Sequence, residues 1–163
     1  MVVEQLKRET KELVCQAEWM RRYFSAQARK YSRWDYRIRT ALALTGIVGA
    51  ALVGIESLRL YAGILAGLSA FALGTVLPTT KWDDLVKGFK EEQEAWTQIH
   101  LDAEDLERMI ERDSDRDELL VQIHQSIRDA QKEAALDERY LPKDDKLLAE
   151  CEQQTREYYS AAA

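Results

Sequence analysis

Two stretches without a single charged side chain, residues 40 to 55 and 60 to 80, interrupt a chain in which 32% of the residues are Asp, Glu, Lys or Arg. They are 16 and 21 residues long, and as helices would measure about 24 and 31 Å at 1.5 Å per residue. The second is long enough to cross a bilayer core of roughly 30 Å. The first reaches that length by borrowing Ile38 and the aliphatic stems of Arg37 and Arg39, whose cationic ends can snorkel to the headgroups. Only "ESLR", residues 56 to 59, stands between them. Spans of about 38–55 and 60–80 joined by so short a turn predict an antiparallel transmembrane hairpin.

Two prolines and seven glycines in 163 residues are too few for a loop-rich β fold, which needs turn residues every 8–12 positions, so an all-α membrane protein is expected. Its orientation follows from the basic residues. Seven precede the first run (21, 22, 29, 30, 33, 37, 39), Arg59 alone lies in the turn, and Lys81, Lys87 and Lys90 follow the second run. This positive-inside bias puts both termini in the cytoplasm, with the basic run facing the anionic leaflet. Trp34, Arg37, Arg39, Tyr61, Lys81 and Trp82 stand at the run ends, where interface anchors belong. The apolar block starts too late for an ordinary signal peptide and is expected to stay in the mature chain. Cys15 and Cys151 lack paired-motif spacing, which fits a reducing compartment.

The flanking segments are helical by period. From Val3 the seam steps by three and four through Leu6, Thr10, Leu13, Ala17, Met20, Phe24, Gln27, Tyr31, Trp34 and Ile38, and nine of these eleven are apolar. The pattern predicts one amphipathic helix over residues 1–39, continuous with the first span, and assigns its remaining charges to solvent. The step recurs at Trp82, Leu85, Phe89, Glu92, Trp96, Ile99, Ala103, Leu106 and Ile110. These seams predict a coiled-coil-like pair of antiparallel helices, within one subunit or between subunits. Leu120, Ile123, Ile127, Ala130 and Ala134 mark a further face, and Pro142 suits the first turn of a last helix. Residues 81–163 form an acidic helical region, with 12 basic and 23 acidic residues for a net charge of −11.

Candidate chemistry is sparse. Asp113, Asp115 and Asp117 match the first three ligands of a calcium loop, but the sixth position is Glu118 instead of Gly and the twelfth is His124 instead of Glu. His100 and Glu104 have helical metal-ligand spacing without a readable third ligand. No phosphate-binding loop, nucleophile elbow or dinucleotide fingerprint is present. These patterns predict no enzyme, no cofactor, no metal and no nucleic-acid partner.

Inside the runs, Gly46, Ala50 and Gly54 recur every four residues, and Gly63, Gly67, Ala70 and Gly74 form a second small-residue stripe beside Ala62 and Ala66. Such stripes let helix backbones approach in lipid, either within one hairpin or between hairpins of a homo-oligomer. Thr45 and Ser69, with Thr75, are the polar side chains available to a pore lining. No Asp, Glu, Lys, Arg or His lies within the runs, which disfavours a proton relay.

A helix ending in "YFSAQARKYSRWDYRIR", the hairpin "TALALTGIVGAALVGIESLRLYAGILAGLSAFALGTVLP" and the returning helix "KWDDLVKGFKEEQEAWTQIH" together resemble the SLATT-domain family. These are two-transmembrane effectors associated with SMODS nucleotidyltransferases and SLOG sensor domains in bacterial conflict systems. The resemblance covers roughly residues 10 to 110. It implies an antiviral defense effector that oligomerises and permeabilises the inner membrane when a nucleotide-signalling sensor or synthase reports infection. Two other readings stand beside it, a membrane-anchored helical scaffold recruiting a soluble partner and a soluble oligomeric bundle.

Overall fold

The computed structural model describes residues 2–79, 81–112, 117–137 and 140–161, and all their regular structure is helical. Five helices carry the fold: α1 (Val2–Leu52), α2 (Arg59–Phe71), α3 (Trp82–Arg112), α4 (Asp117–Asp137) and α5 (Asp145–Ala161). The side chains of Val3, Asp113, Asp115 and Asp117 lie outside what is described. The chain divides into two compact units, one of Met1–Gln27 with Gly88–Ala163 and one of Ala28–Lys87.

In the first unit the two seams meet within one chain. Leu13, Met20 and Phe24 of α1 are buried, as are Phe89, Trp96, Ile99 and Leu106 of α3. The pairing is antiparallel: Lys7 Nζ lies 3.3 Å from Glu111, Lys11 Nζ 3.8 Å from Glu107, and the Phe24 and Phe89 rings stand 6.3 Å apart. The polar seam positions Thr10 and Gln27 are buried with the rest, and Gln27 donates to the Tyr23 hydroxyl at 3.0 Å.

The buried face of α1 is nevertheless wider than the seam. Val14, Glu18 and Tyr23 are also buried, because α4 and α5 pack on α1 beside α3. Glu9 of α1 lies 3.8 Å from both His124 and Arg128 of α4. The Tyr23 hydroxyl accepts a hydrogen bond from Asp144 N at 3.0 Å, just before α5. On α4, Leu120, Ile127 and Ala134 are buried, whereas Ile123 is half-buried and Ala130 exposed. Pro142 precedes α5 instead of entering its first turn. The helix is capped by Asp144, whose Oδ1 accepts from Leu147 N at 3.1 Å.

In the second unit α1 ends at Leu52, a 3₁₀ turn spans Glu56–Leu58, and α2 begins at Arg59. The connection is therefore residues 53–58, wider than the expected 56–59. A π-helical turn, Ala72–Val76, follows α2, with Leu77 N bonded to Ala72 O, and a last helical turn runs Leu77–Thr79. Pro78 explains it. A proline has no N–H to donate to residue i−4 and crowds that carbonyl, so the turn ahead of it widens. Lys81, the residue before α3, takes φ 51, a left-handed value costly for a residue with a Cβ.

Candidate functional site

The hairpin of α1 and α2 is built on close backbone approach. A Cβ placed on Gly49 would lie 3.0 Å from both Ala62 O and Ala66 N, and 3.3 Å from the Ala66 Cβ. Only a glycine fits that contact without movement. Three turns' worth of small residues continue it: Gly46 faces the Ser69 Cβ at 3.5 Å, and Ala62 and Ser69 are buried. Gly49 was not part of the expected stripe. Its signal was the Gly46-x-x-Gly49 spacing set against Ala62, Ala66 and Ser69, a step of three that the step-of-four reading passes over.

The other small residues point elsewhere. Nothing lies within 4 Å of a Cβ built on Gly54, Gly63, Gly67 or Gly74, and Ala50 and Ala70 are exposed. Thr45 is exposed and satisfies its hydroxyl on its own helix, donating to Ala41 O at 2.8 Å. The two small-residue stripes of α2 and the π-turn after it therefore separate: Ala62, Ala66 and Ser69 face α1, while Gly63, Gly67, Ala70 and, in the π-turn, Gly74 do not.

Large apolar side chains surround that outward stripe. Leu44, Ile47, Val48, Leu60, Ile64, Leu65, Leu68 and Phe71 are all exposed, Leu60 at 73%. Residues Glu56–Val76 are long and apolar enough to cross a membrane, and only 11% of that window is buried. No other helix among the described residues meets that test. The uncharged end of α1, residues 40–52, is about 20 Å long at 1.5 Å per residue, shorter than the expected first span because the helix stops at Leu52.

At the charged end of the hairpin, Trp34 and Tyr36 are exposed, at 51% and 70%. The seam therefore does not continue through Trp34. Tyr31 is half-buried and packs edge-on against Trp82, centroids 6.0 Å apart. Arg39 is held by both carboxylate oxygens of Asp35 at 2.8 Å and lies 3.6 Å from Asp83. Arg37, Tyr61 and Lys81 are exposed.

The first unit holds a buried charge cluster that the seam pattern assigned to solvent. Glu18 is 5% exposed and is clamped by Arg21 and Arg22, each at 2.6 Å. His100 Nε2 lies 3.7 Å from Glu18 and 3.5 Å from Glu104. A wider buried arc on α1 defeats the seam pattern here: a carboxylate one position off the seam is buried when a third helix covers it, and paired arginines offset its desolvation. Burial pushes the Cys15 thiol and the Tyr159 phenol upward; the carboxylates of Glu152 and Glu18 add to this at Cys15 against Arg156, and those of Glu18 and Glu104 add to it at Tyr159. Both groups are held in their protonated forms, which are poor nucleophiles. Among the described residues no three His, Cys, Asp or Glu side chains converge as metal ligands.

His124 supplies a pH test. Burial first, then Arg128, lowers its basicity against the opposing pull of Glu9. With the folded value below the ordinary one of about 6.5, the unfolded chain binds more protons in that window. The contribution is fully present above about pH 6.5 and is lost as pH falls through the folded value. The urea midpoint of the first unit is expected to drop between about pH 7.5 and 5.5 more steeply in wild type than in His124→Gln. Parallel profiles would remove His124 as the cause.

Comparison of the chain with family models, with curated proteins and with solved structures returned no match.

Proposed function

We propose that this chain is a SLATT-type membrane effector whose hairpins assemble through the outward stripe of α2 and permeabilise the bacterial inner membrane. The termini are cytoplasmic, and a nucleotide-signalling partner supplies the trigger. The observation that carries the reading is the division of small residues in the hairpin. Gly46, Gly49, Ala62, Ala66 and Ser69 account for packing within it, which leaves Gly63, Gly67, Ala70 and Gly74 exposed among large apolar side chains. Lipid offers no hydrophobic drive between helices, so a small-residue face gains by backbone approach to another helix. Water would not tolerate so contiguous an apolar surface in a monomer.

The test is dye entry into cells expressing the chain. Gly67→Leu is expected to hold neighbouring hairpins apart and reduce leakage by tenfold or more, since several close contacts are lost together. Leu68→Ile, exposed beside the stripe, is expected to leak as wild type. The alkaline-wash pellet must contain every variant. Leakage unchanged in Gly67→Leu would count against assembly on this face.

A scaffold reading is favoured by one feature of the first unit, an open groove of about 560 Å³ between α3 and α4. Ala95, Ile99 and Ala134 line it together with Asp102 and Glu133, a surface suited to a basic helix. Under that reading Asp102→Lys removes partner recruitment and leaves leakage at its wild-type level.

A further inference from the structure

The basic run of α1 is not uniformly available. Arg21 and Arg22 are committed to Glu18, and Arg39 to Asp35 and Asp83. Arg33 and Arg37 are exposed and pair with no carboxylate among the described residues. They are four apart on a continuous helix and so lie on one face, which Arg29 and Lys30 share by the same three-and-four spacing. Tyr31, Asp35 and Ile38, half-buried, mark the opposite face. Exposed Trp34 and Tyr36 flank the basic stripe on either side, and the uncharged run begins at residue 40.

We infer that Arg33 and Arg37, flanked by Trp34 and Tyr36, form a binding site for the headgroups of anionic phospholipid. This site rests on the membrane reading of the hairpin. Two guanidinium groups one helical turn apart present forked donors to phosphate oxygens. The flanking rings have the amphipathic character that settles aromatic side chains at headgroup level. With no carboxylate partner on Arg33 or Arg37 among the described residues, these two guanidinium groups attract negative lipid charge over about a Debye length. Arg39, two residues nearer the apolar run than Arg37, carries the same formal charge but spends its donors on Asp35 and Asp83. The arrangement therefore places lipid selection at residues 33 and 37 and not along the whole basic run.

The full chain is reconstituted into vesicles of phosphatidylcholine and phosphatidylglycerol in which one lipid or the other is brominated. The quenching that disappears in a Trp34→Phe counterpart reports the lipid beside that ring. At equal lipid shares, brominated phosphatidylglycerol is expected to quench several-fold more than brominated phosphatidylcholine. The preference should fall about fivefold in Arg33→Gln or Arg37→Gln at low salt, shrink as salt is raised, and persist in Arg39→Gln. An inserted wild-type chain that shows no preference overturns the site. Equal losses in Arg39→Gln and Arg33→Gln also overturn it, since they would show diffuse charge instead of a local site. A chain stripped from the vesicles by alkaline wash overturns the membrane reading itself, and the lipid site with it.

Discussion

Phe24→Asp is expected to unfold the first unit. Phe24 is 2% exposed, with its ring against Tyr23 at 5.2 Å and Phe89 at 6.3 Å. Truncating such a ring costs about 3–5 kcal/mol, and placing a carboxylate there without a partner adds several more. The sum rivals the whole stability of an ordinary domain, about 5–15 kcal/mol. The readout is the fluorescence of Trp96, which is fully buried in the same unit. Its emission should shift to the red, and α3, α4 and α5 should become open to limited proteolysis. Phe24→Leu, which keeps an apolar group in place, should cost no more than about 1–2 kcal/mol. A Phe24→Asp chain with wild-type emission and protease resistance would show that the seam does not hold this unit together.

The second large effect is expected at Gly49. The Cβ of any other residue would press on Ala62 O and Ala66 N at 3.0 Å, and backbone atoms in two helices cannot step aside as a side-chain tip can. Cysteines at Gly46 and Ser69 provide the gauge. Their Cβ atoms would stand 3.5 Å apart, within the range a disulfide bridges. In a background without Cys15 and Cys151 that pair should oxidise efficiently. Gly49→Leu is expected to reduce the cross-link roughly 5- to 150-fold, the range that 1–3 kcal/mol of overpacking corresponds to. Gly67→Leu should leave it unchanged, because a Cβ there meets nothing within 4 Å. Equal yields in all three chains would mean that the hairpin does not depend on the Gly49 contact.

The same two sites show where reading along the chain succeeds. The steps of three and four from Leu6 to Gln27, and from Phe89 to Ile110, pick out positions that are buried in the fold. That works because one helix face against one partner has a single period. Glu18, Val14 and Tyr23 are buried as well, and they lie beyond the seam because α1 packs against three helices within the first unit. A linear pattern does not reveal how many partners a helix has. Trp34 shows the converse: it keeps the period and is exposed, because a period continues past the point where a partner is present. The helix stop at Leu52 and the π-turn before Pro78 were local effects, and Pro78 was the visible signal for the second.

Helix content, the uncharged runs, the basic and acidic segregation and the buried stripes are properties of residues and their near neighbours, so they follow from order along the chain. Which small residues of the hairpin touch each other does not. Gly46 and Gly49 face α2, and Gly54, Gly63, Gly67 and Gly74 face outward, although all six lie in similar surroundings in the sequence. Likewise Arg33, Arg37 and Arg39 read alike as letters, and only Arg39 meets both Asp35 and Asp83. The physical reason is the same in both cases. A helix presents every side chain at a fixed angle, but the angle at which a second helix arrives depends on its crossing and on the turn that connects it, and these are settled by contacts between residues distant in sequence.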